Sequence, residues 1–236
     1  ELHQLHRRQR QVCIRDRIMY FAPFGVFALI AKTISSVSGD ISQISEILSA
    51  LIFYMGVVIL GLFVHMGITY MTLLKIFTTM DIKHFLKSMA PVQLLGFSTS
   101  SSGATLPVTM KRCEKDLGIS EEISSFVLPL GATINMDGTA LYQGVAAVFI
   151  AQAVGMDLTL ANQFTIVATA VLASIGTAAV PGAGIIMLII ILEAINVPSE
   201  GIALILGVDR ILDMIRTATN VTGDATVASV MDSLER

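Results

Sequence analysis

The stretch FSTSSSGATLP, residues 97–107, lies inside a run from 88 to 110 that contains no Asp, Glu, Lys or Arg. Such a run exceeds the roughly 20 apolar residues that a membrane-spanning helix requires. Yet Ser98 to Gly103 offers five hydroxyls and a glycine where a plain span would carry Leu, Ile or Val. Hydroxyl side chains compete for backbone groups, and Gly costs a helix about 1 kcal/mol relative to Ala. Residues 81–112 therefore read as two helices joined by a break at membrane depth, a re-entrant hairpin. The charge-free run 158–192 repeats the pattern, with its break at SIGTAAVPGAG, residues 174–184. Between the two hairpins, an apolar span over 123–155 is interrupted by NMDGT, residues 135–139.

Composition places these breaks in a membrane. Mean hydropathy is +0.76, and only 14% of residues are charged, against about 25% in a soluble domain. A further uncharged run covers 47–74. The pattern predicts an all-α membrane protein. Its expected helices cover 18–36, about 47–75 and about 201–232, alongside hairpin 1 (about 81–112), the broken helix (about 123–155) and hairpin 2 (about 158–192). Residues 1–17 (ELHQLHRRQRQVCIRDR) contrast with all that follows and read as a linker or a foreign segment. The sequence lacks a signal peptide and an initiating Met, so it reads as the C-terminal piece of a longer chain. Net charge −3, with no basic patch in the folded part, excludes a nucleic-acid partner. Cys13 and Cys113 are far apart in polar segments, which argues against a disulfide.

The last expected helix carries DRILDMIR at 209–216, with Asn220 and Asp224 beyond it. At 3.6 residues per turn, Asp209, Asp213, Arg216, Thr217, Asn220 and Asp224 share one arc. An ionisable group at mid-bilayer costs about 2.5 to 3.5 kcal/mol, so a stripe of them implies partners, water or a bound solute. Irregular backbone survives at that depth only where protein buries it or water reaches it. Paired broken segments are the sequence pointer to a transporter's binding site. Lys75, Lys83 and Lys87 before the first hairpin, with Lys111, Arg112 and Lys115 after it, put those loops on the cytoplasmic side. The acidic loops near Asp40, Asp157 and Glu193 to Glu200 fall on the other side.

Plain structural readings compete with each of these. Ser100 to Ser102 suit close helix packing, NMDGT suits a local Asx turn, and Pro181-Gly182 suits an external loop. Asp209 and Arg210 suit an interfacial ion pair, His65 reads as a packed side chain, and the 12 Met residues read as core filler. Against the turn reading, Asp137 lies deep in an apolar span. An unwound backbone with a carboxylate also offers the hard oxygens that a cation such as sodium takes. The rival from another class is an intramembrane enzyme with a serine nucleophile. It needs a base, and no His or Lys lies beside Ser98 to Ser102 in a comparable break.

Taken in order, SSSGATLP (100–107), NMDGT (135–139), SIGT (174–177) with VPGAG (180–184), and Asp209 through Asp224 resemble the glutamate/aspartate transporter family. That family comprises the excitatory amino acid transporters and their bacterial and archaeal relatives, and the resemblance covers about Ile18 to Glu235. It implies an inverted-repeat transport domain with two re-entrant hairpins, here 47–236, sliding like an elevator past a scaffold that includes 18–36. It also implies a homotrimer, multi-pass in the cell membrane, with no cofactor beyond coupling sodium ions.

The resemblance further implies site roles. Asp213 would hold the substrate ammonium, Arg216 its side-chain carboxylate, and Asn220 the α-carboxylate region. Thr217 would line the same site. Ser102 and the backbone from Val180 to Gly184 would close over the ligand, and Thr139 would touch the side-chain carboxylate. Sodium would be held by Asp224 with carbonyls of Gly131, Asn135 and Asn220. A second set would use carbonyls around Thr133, Ser174, Ile175 and Thr177, and a third Asp137 with Asn135. Dicarboxylate carriers of the family lack the aspartate at Asp213, and neutral amino acid carriers lack the arginine at Arg216. The expected cargo is therefore L-glutamate or L-aspartate with sodium. The alternative is a proton-coupled glutamate or C4-dicarboxylate symporter of the same family. Gln143 stands where animal members carry the glutamate linked to proton and potassium coupling. Ser100 replaces an arginine of some archaeal members, a charge that Arg210 would supply instead, and Ala179 replaces a glycine in the second hairpin tip.

Overall fold

A computed structural model describes residues 41–235, and no strand occurs among them. Segment 1–17, the helix expected over 18–36 and Cys13 lie outside the described residues. The first described helix, α1, spans Ile41–Val64. It passes through a π-helical segment, His65–Tyr70, into α2, Met71–Phe77. The helix expected over 47–75 is thus one continuous helical run that widens by a turn near its C-terminal end. Within it, Ser45–Phe77 is long and apolar enough to cross a membrane.

Each expected interruption is a real gap between helices. Hairpin 1 comprises α3, Ile82–Thr99, and α4, Ser102–Lys115. The broken helix comprises α5, Glu121–Ile134, and α6, Asp137–Ala153. Hairpin 2 comprises α7, Leu160–Ile175, and α8, Ala183–Ala194. A short 3-10 turn, Ser199–Gly201, leads into α9, Ile202–Glu235. Side-chain caps fix several helix starts. The side chains of Asp81, Ser120 and Thr159 accept the backbone N–H groups of His84, Ile123 and Asn162, each worth about 1 kcal/mol.

The long helix α9 organises the rest, touching α1 through α6 and α8. Two apolar cores form on it. Around its N-terminal half, Tyr54, Leu62, Ile150, Leu188, Ile205 and Leu212 join α1, α6 and α8 into one cluster. Around its C-terminal half, Leu74, Phe85, Met89, Leu128, Val221 and Ala225 join α2, α3 and α5 into another. The polar stripe of α9 lies between them, and there the three breaks converge. Apolar side chains also face outward, among them Phe53, Phe63, Phe126, Leu160 and Phe164. An outer surface of that kind suits contact with hydrocarbon or with further apolar protein.

Candidate functional site

The two hairpins are joined at their tips. Helix α3 stops because Ser100 adopts φ 50°, ψ 35°, a left-handed conformation that costs a non-glycine residue about 1–2 kcal/mol. Ser101 then starts α4. Its Oγ accepts Ala104 N–H at 3.2 Å and donates to Ala179 O at 2.7 Å. Gly103 N–H donates to the same carbonyl at 3.3 Å. In the second break, Thr177 Oγ1 donates back to Ala173 O at 2.8 Å, satisfying a carbonyl left over at the end of α7. The chain turns through Gly182, whose N–H donates to Asp213 Oδ2 at 3.0 Å.

Below the tips, Asp213 and Arg216 pair across one turn of α9, with Nη2 donating to Oδ1 at 2.5 Å. Nη1 lies 3.8 Å from Asp209 Oδ1, beyond hydrogen-bond reach. The guanidinium carbon stands 4.1 Å over the Tyr142 ring, a cation–π contact that contributes about 2 kcal/mol when desolvated. Arg216 is 2% exposed, so a fixed positive charge is held in the interior by two carboxylates and one aromatic face. Gly184 makes this possible, because a Cβ there would come within 2.9 Å of Nη1. Gln143 Nε2 donates to Gly184 O at 3.1 Å and ties the second hairpin to α6.

Ser102, Thr139, Val180, Gly184, Asp213, Arg216, Thr217 and Asn220 all line one cavity of about 20 Å³. The eight residues expected at the substrate site are therefore brought together. A space of that size holds about one water, so a larger solute requires the tips or the Asp213–Arg216 pair to part. Asn220 is oriented from both ends. Its Nδ2 donates to Thr139 Oγ1 at 3.0 Å, and its Oδ1 accepts Gly138 N–H at 2.9 Å.

The residues expected to hold ions divide. Asn135 and Met136 leave helical geometry between α5 and α6, and Met136 O opens α6 by accepting Ala140 N–H at 2.9 Å. Asn135 Nδ2 donates to Asp224 Oδ1 at 3.0 Å. Gly131 lies against that carboxylate so closely that a Cβ would come within 2.6 Å of Oδ1. Gly131, Asn135 and Asp224 are thus one cluster, with Asp137 on the far side of the break. The second set is looser. Thr133 Oγ1 turns back to Leu130 O at 2.9 Å, Ser174 O accepts the N–H groups of Gly176 and Thr177, Ile175 is exposed, and Thr177 also lines the substrate cavity.

Two expectations are corrected. His65 is not a merely packed side chain, for its Nε2 lies 2.9 Å from Asp137 Oδ2. Asp209 and Arg210 are not an interfacial pair either. Asp209 is buried beside Arg216, whereas Arg210 is exposed. Three contributors were not foreseen: Tyr70, whose hydroxyl donates to Asp137 Oδ2 at 2.6 Å, Ser101 and Tyr142. Tyr142 had a signal, being one turn beyond Thr139 on the same face. In the serine run, Ser98 Oγ donates to Leu94 O and Ser101 Oγ to Ala179 O. No hydrogen bond joins Ser98 to Ser102 to a His or Lys among the described residues.

Residues 12–234 match the model of the sodium:dicarboxylate symporter family, a match that starts within segment 1–17. The chain is 40% identical over 214 residues to an excitatory amino acid transporter of Caenorhabditis elegans, covering 91% of this chain and 42% of that protein. It is 41% identical over 219 residues to excitatory amino acid transporter 1 of Rattus norvegicus, covering 93% of this chain and 40% of that protein. With excitatory amino acid transporter 3 of Mus musculus it shares 43% over 219 residues, covering 93% and 41%. The chain spans about two fifths of the length of these curated relatives.

Proposed function

The chain belongs to the sodium:dicarboxylate symporter family, and on that premise we propose that it forms most of the transport domain of a sodium-coupled acidic amino acid symporter. The observation that carries this reading is the buried Asp213–Arg216 pair beneath two hairpin tips joined at Ala179 O. An acidic amino acid carries complementary groups. Its ammonium takes Asp213, and its side-chain carboxylate takes the planar fork of Arg216. Asn220 and Thr139 serve the remaining polar groups, while Ser102 and the backbone from Val180 to Gly184 cover the ligand. A C4-dicarboxylate would leave the Asp213 carboxylate unpaired, which disfavours that cargo.

Charge argues for a co-transported cation. Asp209 and Asp213 share one buried guanidinium, Asp224 lies buried against Asn135, and an acidic amino acid adds more negative charge than positive. Sodium restores the balance. It would sit at Asp224 with oxygens of Gly131, Asn135 and Asn220, at the carbonyls near Thr133, Ser174, Ile175 and Thr177, and at Asp137 with Asn135. Gln143 donates an amide N–H where a titratable glutamate would exchange a proton, so potassium counter-transport is not part of this account.

The two hairpins are then re-entrant and the second is the gate, within an inverted-repeat domain over 47–236. The outward apolar faces of α1 and α7 fit a domain that slides, elevator fashion, against a scaffold that includes 18–36 and against lipid. The assembly is a homotrimer in the cell membrane. Reconstituting the full-length protein in liposomes and measuring labelled L-aspartate uptake tests the reading. An inward sodium gradient should drive accumulation and a choline gradient should not. Uptake driven equally by a proton gradient without sodium would overturn it.

A further inference from the structure

Asp137 is gripped from outside the broken helix by two side chains of the first helical run. His65 Nε2 lies 2.9 Å from Oδ2, and the Tyr70 hydroxyl donates to the same oxygen at 2.6 Å. The two rings also pack edge to face, with centroids 4.9 Å apart. With its proton on Nε2, the imidazole donates to Asp137 and takes the Thr69 hydroxyl on Nδ1 at 3.2 Å. Oδ1, meanwhile, accepts Gly138 N–H at 2.9 Å. The carboxylate is thereby fixed in plane and in rotation, with a lone pair of Oδ1 still open for a ligand.

Backbone geometry supplies the reason both rings reach one atom. His65 and Tyr70 are five residues apart, about 500° around an α-helix, which puts them on different faces. They are also the two ends of the π-helical segment His65–Tyr70. Widening the helix there reduces the rotation per residue and brings both side chains to the Asp137 side. Single π turns of this kind concentrate at functional sites.

We propose that His65 and Tyr70 are positioning residues for a cation held by Asp137. They orient the carboxylate so that its remaining Oδ1 lone pair and the oxygens of Asn135 at the break converge on one ion. The inference rests on the reading of Asp137 as a sodium ligand. Partners that orient a ligating carboxylate are worth roughly 10- to 100-fold in metal affinity.

The test is a sodium titration of L-aspartate binding to the full-length protein in four variants. Tyr70→Phe removes one hydroxyl and keeps the ring. It should raise the sodium concentration for half-maximal binding about tenfold, while aspartate affinity at saturating sodium stays unchanged. His65→Leu should act in the same direction, and His65→Gln, which restores a donor, should recover most of the loss. Should both Tyr70→Phe and His65→Leu leave sodium dependence unchanged while Asp137→Asn weakens it, the positioning role is wrong and the ion site stands. An unchanged sodium dependence in Asp137→Asn overturns both. A loss of aspartate affinity at saturating sodium equal to the loss at low sodium would mark a purely structural effect, and would overturn the proposal too.

Discussion

Arg216 is the residue on which the site turns. It is the largest fully buried side chain among the described residues, and it stands between Asp209, Asp213 and the Tyr142 ring. Truncating it strands two carboxylates in the interior, an error that costs about 3 to 5 kcal/mol when a buried pair loses one partner. Arg216→Lys keeps the charge and loses the fork. We expect acidic amino acid affinity to fall about 10- to 100-fold in that variant, the worth of one charge-assisted hydrogen bond, as read by calorimetry. Asp213→Asn should have the opposite selectivity signature. Aspartate binding falls because the ammonium loses its counter-charge, while binding of a C4-dicarboxylate such as succinate rises. Unchanged selectivity would remove Asp213 from the ligand. The charged members of the site were legible in the sequence because charges are rare in apolar spans. Tyr142 and Tyr70 were not, since an aromatic side chain in such a span carries no mark of its polar end.

Helices and their breaks were legible to within a few residues, because a serine run, NMDGT and a proline-glycine run each disrupt an apolar period in a way that local chemistry explains. The π segment at His65–Tyr70 was not, since nothing in HMGITY departs from α-helical composition. The misreading of His65 as a packed side chain followed from that. Nor did the sequence mark Ser101 above its neighbours, because the tip contact depends on where Ala179 lies in the other hairpin. That contact yields a prediction. Ser101→Ala deletes both the cap of α4 and the hydrogen bond to Ala179 O. It should destabilise the joined tips by about 1 to 2 kcal/mol and speed maleimide labelling of a cysteine introduced at Thr217, which is buried in the cavity beneath them. Equal labelling rates with and without the Ser101 hydroxyl would show that the tips are held by other means.

For the molecule as a whole, the two apolar cores on either side of the polar stripe explain how α9 can carry ionisable groups at all. Each core packs one half of the helix, and the site occupies the seam. Gly131 belongs to this seam, and Gly131→Ala should displace Asp224, weakening sodium dependence and lowering thermal stability together. Cys113 reports on the C-terminal core. It lies beyond the charge-free run that ends at residue 110, and burial pushes its thiol up to about 12, with Asp224 and Glu114 adding to the shift. It should therefore resist maleimide at pH 8 in the folded protein and react after denaturation. Ready labelling of the native state would show that this core opens. The central claim is that an acidic amino acid and sodium occupy one seam together. Its most direct test is calorimetric titration of L-aspartate and L-glutamate into the full-length protein, in sodium and in choline, with Arg216→Ala as the companion. The account predicts binding that requires sodium and is lost in the variant. Binding of equal strength in choline would contradict it.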